Sequence, residues 1–181
     1  KAQSMSKLVS EEGGYFLDAP VTGGERGAEK GELIFMVGGD YQSYKKAKNI
    51  FDMLGKKTTY FGESGKGQVC KMVNQMIQTA LGCATVESLC LAGQYNMDIK
   101  KIAETIGFGF KSGLKKIVNR VETEEHSTKG YIGILGKDLD CIMNEGIIKK
   151  SYLPITRATH ELYNLARQQG LSKTDPLSMY L

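Results

Sequence analysis

The residue with the clearest chemical potential is Lys71, which follows a glycine-rich run: Gly62-x-x-Gly65-x-Gly67-x-x-x-Lys71-x-x-Asn74-Gln75. The glycines precede a helix start, and the two amides sit three and four residues after the lysine. Those offsets put Lys71, Asn74 and Gln75 on one helical face. A lysine turned inward beside amides can give a proton to a reacting oxygen or take one from it. A solvent-facing lysine satisfies the same spacing, and taken alone it is the plainer account. A phosphate-binding P-loop is excluded, because the GxxxxGK[ST] order is absent. The GxG here also lacks the third glycine of a dinucleotide fingerprint.

Two other clusters offer groups to a ligand. In Asp18-Ala19-Pro20-Val21-Thr22-Gly23-Gly24 a strand ends, and a hydroxyl and two glycines follow. Such an edge suits an anion, because glycines let backbone N–H groups approach it closely. A tight surface turn uses the same residue types. In Gly136-Lys137-Asp138-Leu139 a helix is expected to open, with Asp138 as an early carboxylate favourable to the helix dipole.

The elements that must position these groups change character near residue 62. Met5, Leu8 and Val9 follow helical spacing up to Gly13-Gly14. Tyr15 to Ala19 reads as a short strand closed by Pro20. Leu33 to Val37 is a continuous apolar run of strand length, suited to burial on both faces. Asp40 is placed to cap a helix reaching Leu54, with Tyr44, Ala47, Ile50, Phe51 and Leu54 on one face. Thr58 to Phe61 is a further strand. From Gln68 to about Tyr95 the apolar positions keep helical spacing, predicting a helix about 40 Å long. Shorter helices are expected over 98–106, 112–121, 137–149 and 154–169, with Pro154 in a first turn and Gly170 after a last one. The expected fold class is therefore mostly α: the last α/β elements of a layered domain over residues 1–61, then an all-α domain over 62–181.

Composition narrows the partners. The chain has 181 residues, 41% hydrophobic and 24% charged, with a net charge of +4 and a pI near 8.8. No block of like charge points to nucleic acid, and Lys45-Lys46 with Lys48 reads as a solvated helix face. The four cysteines have no CxxC spacing, and His126 and His160 are far apart, so no metal site is expected. A reducing compartment follows from the same cysteine usage. No apolar run reads as long enough to cross a bilayer, and no signal peptide opens the chain. The first residue is Lys1 rather than Met, in the middle of what reads as a helix. The chain is accordingly expected to be the C-terminal portion of a longer protein, from the cytoplasm or a mitochondrial matrix.

In their order and separation the clusters resemble the 3-hydroxyisobutyrate dehydrogenase family of β-hydroxyacid dehydrogenases. That family carries D-A-P-V-S-G-G, then G-x-x-x-G-x-L with M-V-G-G, then G-x-G-x-x-x-K-x-x-N-[NQ], and later K-D-L. Here the second motif is Gly27 to Leu33 followed by Met36-Val37-Gly38-Gly39, and the tail Gly170…Asp175-Pro176-Leu177-Ser178 is similar to the family's G-x-G-x-x-D-x-S. The resemblance spans essentially the whole chain and favours the inward reading of Lys71. It implies a Rossmann domain, of which 1–61 would supply the last strands, followed by a helical domain like the C-terminal one of 6-phosphogluconate dehydrogenase.

It also implies roles. Lys71 would be the catalytic acid or base. Thr22, Gly23 and Gly24 would hold the substrate carboxylate, with Thr in place of the usual Ser. Either Asn74 or Gln75 would orient the substrate. Asp138 would face the substrate and, with Lys137, border the nicotinamide end; Lys137, Tyr131 and Gly67 would lie toward the cofactor, NAD or NADP. The implied activity interconverts a small 3-hydroxy acid and its semialdehyde or oxo acid, in a homodimer or homotetramer, with the isolated 181 residues inactive. A non-catalytic relative serving as an oligomerisation module is the alternative, and a cofactor-induced thermal shift separates the two. A phosphogluconate enzyme is disfavoured, because that relative has K-x-x-H-N and a longer C-terminal region, whereas Asn74 stands here.

Overall fold

The computed structural model describes residues 1–106 and 131–179. The helix expected over 112–121 lies outside them. Contacts divide the chain into two compact units, Lys1–Asn74 and Gln75–Leu181.

The first unit is built on a four-stranded sheet. Helix α1 (Ala2–Glu11) leads to strands β1 (Leu17–Asp18) and β2 (Val21–Thr22), then helix α2 (Gly24–Glu29), strand β3 (Leu33–Gly39), helix α3 (Tyr41–Leu54) and strand β4 (Gly55–Gly62). β1 and β2 pair antiparallel with β3 in one continuous register, from Leu17 opposite Gly39 to Thr22 opposite Ile34. The interruption falls at Ala19-Pro20, where proline has no N–H to give. β4 pairs with β3 in parallel, and α3 is the crossover between them, so β3–α3–β4 is a βαβ unit.

The sequence chemistry explains these elements. β3 is buried from Phe35 to Gly39, as its unbroken apolar run requires. α3 begins after Asp40, whose carboxylate accepts the Ser43 N–H at 2.7 Å. Phe35, Val37 and Tyr44 form the core with Phe51 and Tyr60 packed on it, and the Tyr44 and Tyr60 rings stack at 5.0 Å. The apolar face expected for α3 is narrower than its spacing suggests, since Ile50 and Leu54 are exposed.

The second unit is helical. It comprises the greater part of α4 (Lys66–Gln94), then α5 (Ile99–Ile106), α6 (Tyr131–Ile148), α7 (Pro154–Gln168) and two short 3-10 turns, Leu171–Lys173 and Pro176–Met179. Ile132, Leu139 and Ile142 of α6 are buried, as are Tyr163 and Ala166 of α7. Asp140 of α6 accepts both guanidinium nitrogens of Arg167 at 2.9 Å, and the His160 ring lies 2.6 Å from the same carboxylate.

Three expectations are corrected. The fold class is not mostly α: the N-terminal part is a strand-containing, Rossmann-like α/β unit with its own sheet, βαβ crossover and core. The helix expected to open at Lys137 is already formed at Tyr131, the first described residue after 106, so Lys137 and Asp138 lie in its interior rather than its first turn. One helix, α4, does have the length and apolar composition to cross a bilayer. It also carries two buried polar residues, Gln75 and Thr79, on one side.

Candidate functional site

The start of α4 is fixed by a residue to which the sequence motifs assign no role. Asp18 ends β1 and is 3% exposed. Its two carboxylate oxygens accept the backbone N–H of Gly65 at 2.7 Å and of Gln68 at 2.9 Å. The first N–H groups of a helix have no intrahelical partner, so a carboxylate there satisfies two of them and opposes the helix dipole. Close approach of backbone makes the clamp possible. A Cβ on Gly67 would lie 2.4 Å from the Met36 carbonyl oxygen, and one on Gly38 would lie 2.8 Å from the Gly67 nitrogen. Gly67 therefore has a packing reason to be glycine, whatever lies nearby.

From that fixed origin α4 carries Lys71 in its second turn. Lys71 is half-buried, and the residues one and two turns further along its row, Gln75 and Thr79, are buried. The Thr79 hydroxyl donates to the Gln75 carbonyl oxygen at 2.8 Å. The apolar residues Val69, Val73, Ile77 and Leu81 occupy the exposed side. The helix thus turns its lysine-bearing row inward, which decides against a purely solvent-facing Lys71. Asn74 is half-buried beside it.

Thr22 is the last residue of β2, paired with Ile34, and Gly23 and Gly24 follow with φ of 127° and 62°. These left-handed values favour glycine, so the turn holds a backbone conformation that side chains resist. The register puts Thr22 about 13 Å along the strand edge from Asp18.

In the helical unit, Gln75 and Asp138 come together: the Gln75 Nε2 donates to Asp138 Oδ2 at 2.8 Å. Lys137 is exposed, and Tyr131 of α6 is half-buried. Among the described residues no group of three or more His, Cys, Asp or Glu is placed to hold a metal.

The sheet also tests where a dinucleotide diphosphate would sit. A helix N-terminus following a parallel strand is the usual cradle for one. Here β3 leads into α3 and β4 leads into α4, but a carboxylate occupies each start: Asp40 on Ser43, and Asp18 on Gly65 and Gln68. Neither of these two helix starts fits a diphosphate.

Two family models together cover nearly all of the chain. Residues 1–62 match the model of the NAD binding domain of 6-phosphogluconate dehydrogenase. Residues 65–181 match the model described as the NAD-binding of NADP-dependent 3-hydroxyisobutyrate dehydrogenase. The chain is 33% identical over 177 residues to the 2-hydroxy-3-oxopropionate reductase of Escherichia coli, covering 97% of this chain and 61% of that protein. It is 31% identical over 182 residues to the mitochondrial 3-hydroxyisobutyrate dehydrogenase of Drosophila melanogaster, covering 96% of this chain and 56% of that one. The chain therefore spans about three-fifths of the length of such relatives. The crystal structure of 3-hydroxyisobutyrate dehydrogenase from Salmonella typhimurium superposes with a TM-score of 0.85 at 20% identity, covering 99% of this chain and 64% of that one. That likeness, which includes the sheet, is further evidence against a mostly α fold.

Proposed function

The chain belongs to the 3-hydroxyisobutyrate dehydrogenase family of β-hydroxyacid dehydrogenases, and on that footing we propose that it carries the proton-transfer and substrate-binding side of an NAD(P)-dependent dehydrogenase. The substrate class is a small 3-hydroxy acid and its semialdehyde or oxo acid. The observation that carries this reading is the inward row of α4, with Lys71 at a fixed distance from the Asp18 clamp.

In this reading the nicotinamide supplies hydride to the carbonyl carbon, or receives it in the oxidative direction. Lys71 gives the matching proton from Nζ to the carbonyl oxygen, which becomes the hydroxyl; in oxidation it takes that proton back. Thr22 offers a hydroxyl, and Gly23 and Gly24 offer exposed backbone, to the substrate carboxylate. An amide of the pair Asn74 and Gln75 orients the substrate, and Tyr131, Lys137 and Asp138 border the cofactor end. The 181 residues alone are proposed not to turn over, since the starts of α3 and α4 are each occupied by a carboxylate. The helical unit is also proposed to mediate a homodimer or homotetramer, which mass measurement in solution checks.

The test is steady-state turnover of the full-length protein carrying Lys71→Ala, with NADH and NADPH each supplied. A loss in kcat of about 100- to 10,000-fold is expected for removing a general acid or base. Normal turnover by the variant overturns the reading. The absence of any cofactor-induced thermal shift in the wild type supports a non-catalytic module instead.

A further inference from the structure

We propose that α7 is a self-pairing surface, whose exposed apolar stripe packs antiparallel against the same stripe of a second copy of this chain across a two-fold axis. The inference rests on the homo-oligomer reading above and names the surface and the register that would carry it.

α7 buries one side, Thr156, Thr159, Tyr163 and Ala166, within its own unit. Directly beside that side run Ile155, Ala158, Leu162 and Leu165, all exposed, with Ile155 at 70%, Leu162 at 40% and Leu165 at 53%. Their spacing alternates three and four residues, the a and d pattern of a helix-pairing seam. Apolar residues scattered singly over a surface are ordinary, whereas a continuous stripe marks an interaction site.

The order of the residues selects the partner. A two-fold contact is isologous, so if one residue meets a second, the second must meet the first. Ile155 and Leu165 lie equally far to either side of position 160, and so do Ala158 and Leu162. An antiparallel pair centred there sets each Ile155 against a Leu165 and each small Ala158 against a larger Leu162.

The flanking charges obey the same symmetry. Arg157 and Glu161 are exposed, one helical turn apart, on the edge of the stripe away from the buried side. A two-fold axis crossing an antiparallel pair brings that edge against the same edge of the second copy, running in the reverse direction. The two charges lie to either side of position 159, within one residue of the apolar centre, so Arg157 of each copy falls beside Glu161 of the other. In a parallel pair the two edges would lie on opposite sides of the contact, and neither charge would meet its complement. Such flanking charges set partner choice and orientation in paired helices.

The experiment exchanges the charges and reads association by sedimentation velocity of the full-length protein at micromolar concentrations. Arg157→Glu alone opposes two acidic side chains at each flank, and Glu161→Arg alone opposes two basic ones. Each is expected to weaken association about tenfold. The double variant Arg157→Glu with Glu161→Arg restores opposite charges and is expected to return association to within about threefold of wild type. Leu162→Glu puts a charge into the seam and is expected to weaken association about 100-fold or more, halving the mass of a dimer or a tetramer alike.

Wild-type mass in every variant overturns the proposal and leaves the homo-oligomer reading in place. Single changes whose effects add in the double variant, with no recovery, overturn it equally. A monomeric wild type removes both readings and gives the stripe to a different protein. Far-UV circular dichroism separates dissociation from misfolding; if Leu162→Glu does not fold, the charge exchange decides alone. None of these outcomes touches the dehydrogenase reading, which Lys71→Ala tests.

Discussion

Asp18 and Asp140 each gather more than one N–H donor, yet they do so in opposite settings. Asp18 is buried at the end of β1 and takes backbone N–H groups 47 and 50 residues along the chain. Asp140 has a side chain 40% exposed and takes side-chain donors from α7: both Arg167 nitrogens and the His160 ring. Backbone donors are held in place by the fold, so the Asp18 clamp defines where α4 begins and therefore where Lys71 stands. Side-chain donors on a solvated face lose rotamer freedom when they pair and are screened by water. The first carboxylate fixes the start of a helix; the second tightens the contact between two helices.

The difference can be broken at several points. Asp18→Ala leaves the N–H groups of Gly65 and Gln68 without that acceptor in the interior, and about 2–4 kcal/mol of stability should be lost, read by urea unfolding. The same variant should lose turnover in the full-length protein out of proportion to its fraction unfolded, because the origin of the Lys71 helix shifts. Gly67→Ala comes next: its methyl would lie 2.4 Å from the Met36 carbonyl oxygen, and strain of about 1–3 kcal/mol is expected in the same measurement. Asp140→Asn should matter least, about 0–1 kcal/mol at neutral pH, because the pair is part-exposed.

The same comparison has a pH signature. The Arg167 guanidinium, helped by His160, holds the Asp140 carboxyl down to about 2 from an ordinary 3.8. A group whose folded pKa is depressed contributes stability that is fully present above the unfolded value and is lost as pH falls through the folded one. The Asp140 contribution is therefore present above about pH 4 and disappears toward pH 2. Asp140→Asn should flatten the unfolding midpoint across that window by a small amount, whereas Gly67→Ala should lower it at every pH.

What could be read from the sequence was local. The Asp40 cap, the β3 run, the long α4, and the Pro154 start and Gly170 stop of α7 depend on neighbours within a few residues. What escaped was set by tertiary contact. Gly136 is expected at the opening of a helix from Lys137, yet it and Gly133 lie inside α6. A Cβ at Gly133 would lie 2.9 Å from the Ser172 carbonyl oxygen, and one at Gly136 3.1 Å from the Arg167 side chain. The Asp18 clamp and the Gln75–Asp138 bond join residues nearly fifty and more than sixty positions apart, which no window along the chain can display. The mostly α expectation failed in a related way. β2 and α2 are too short to announce themselves, and the sheet emerges only when β1 and β2 share one register on β3.

The central claim is that Lys71 transfers the proton that accompanies hydride transfer. The most direct measurement is single-turnover reduction by the full-length protein carrying Lys71→Met, which keeps an apolar stem and removes the ammonium. NAD(P)H absorbance follows the hydride, and binding of cofactor and substrate is measured separately. The account predicts a hydride-transfer rate lower by about 100-fold or more with both affinities within a few-fold of wild type. A variant that transfers hydride at the wild-type rate contradicts it.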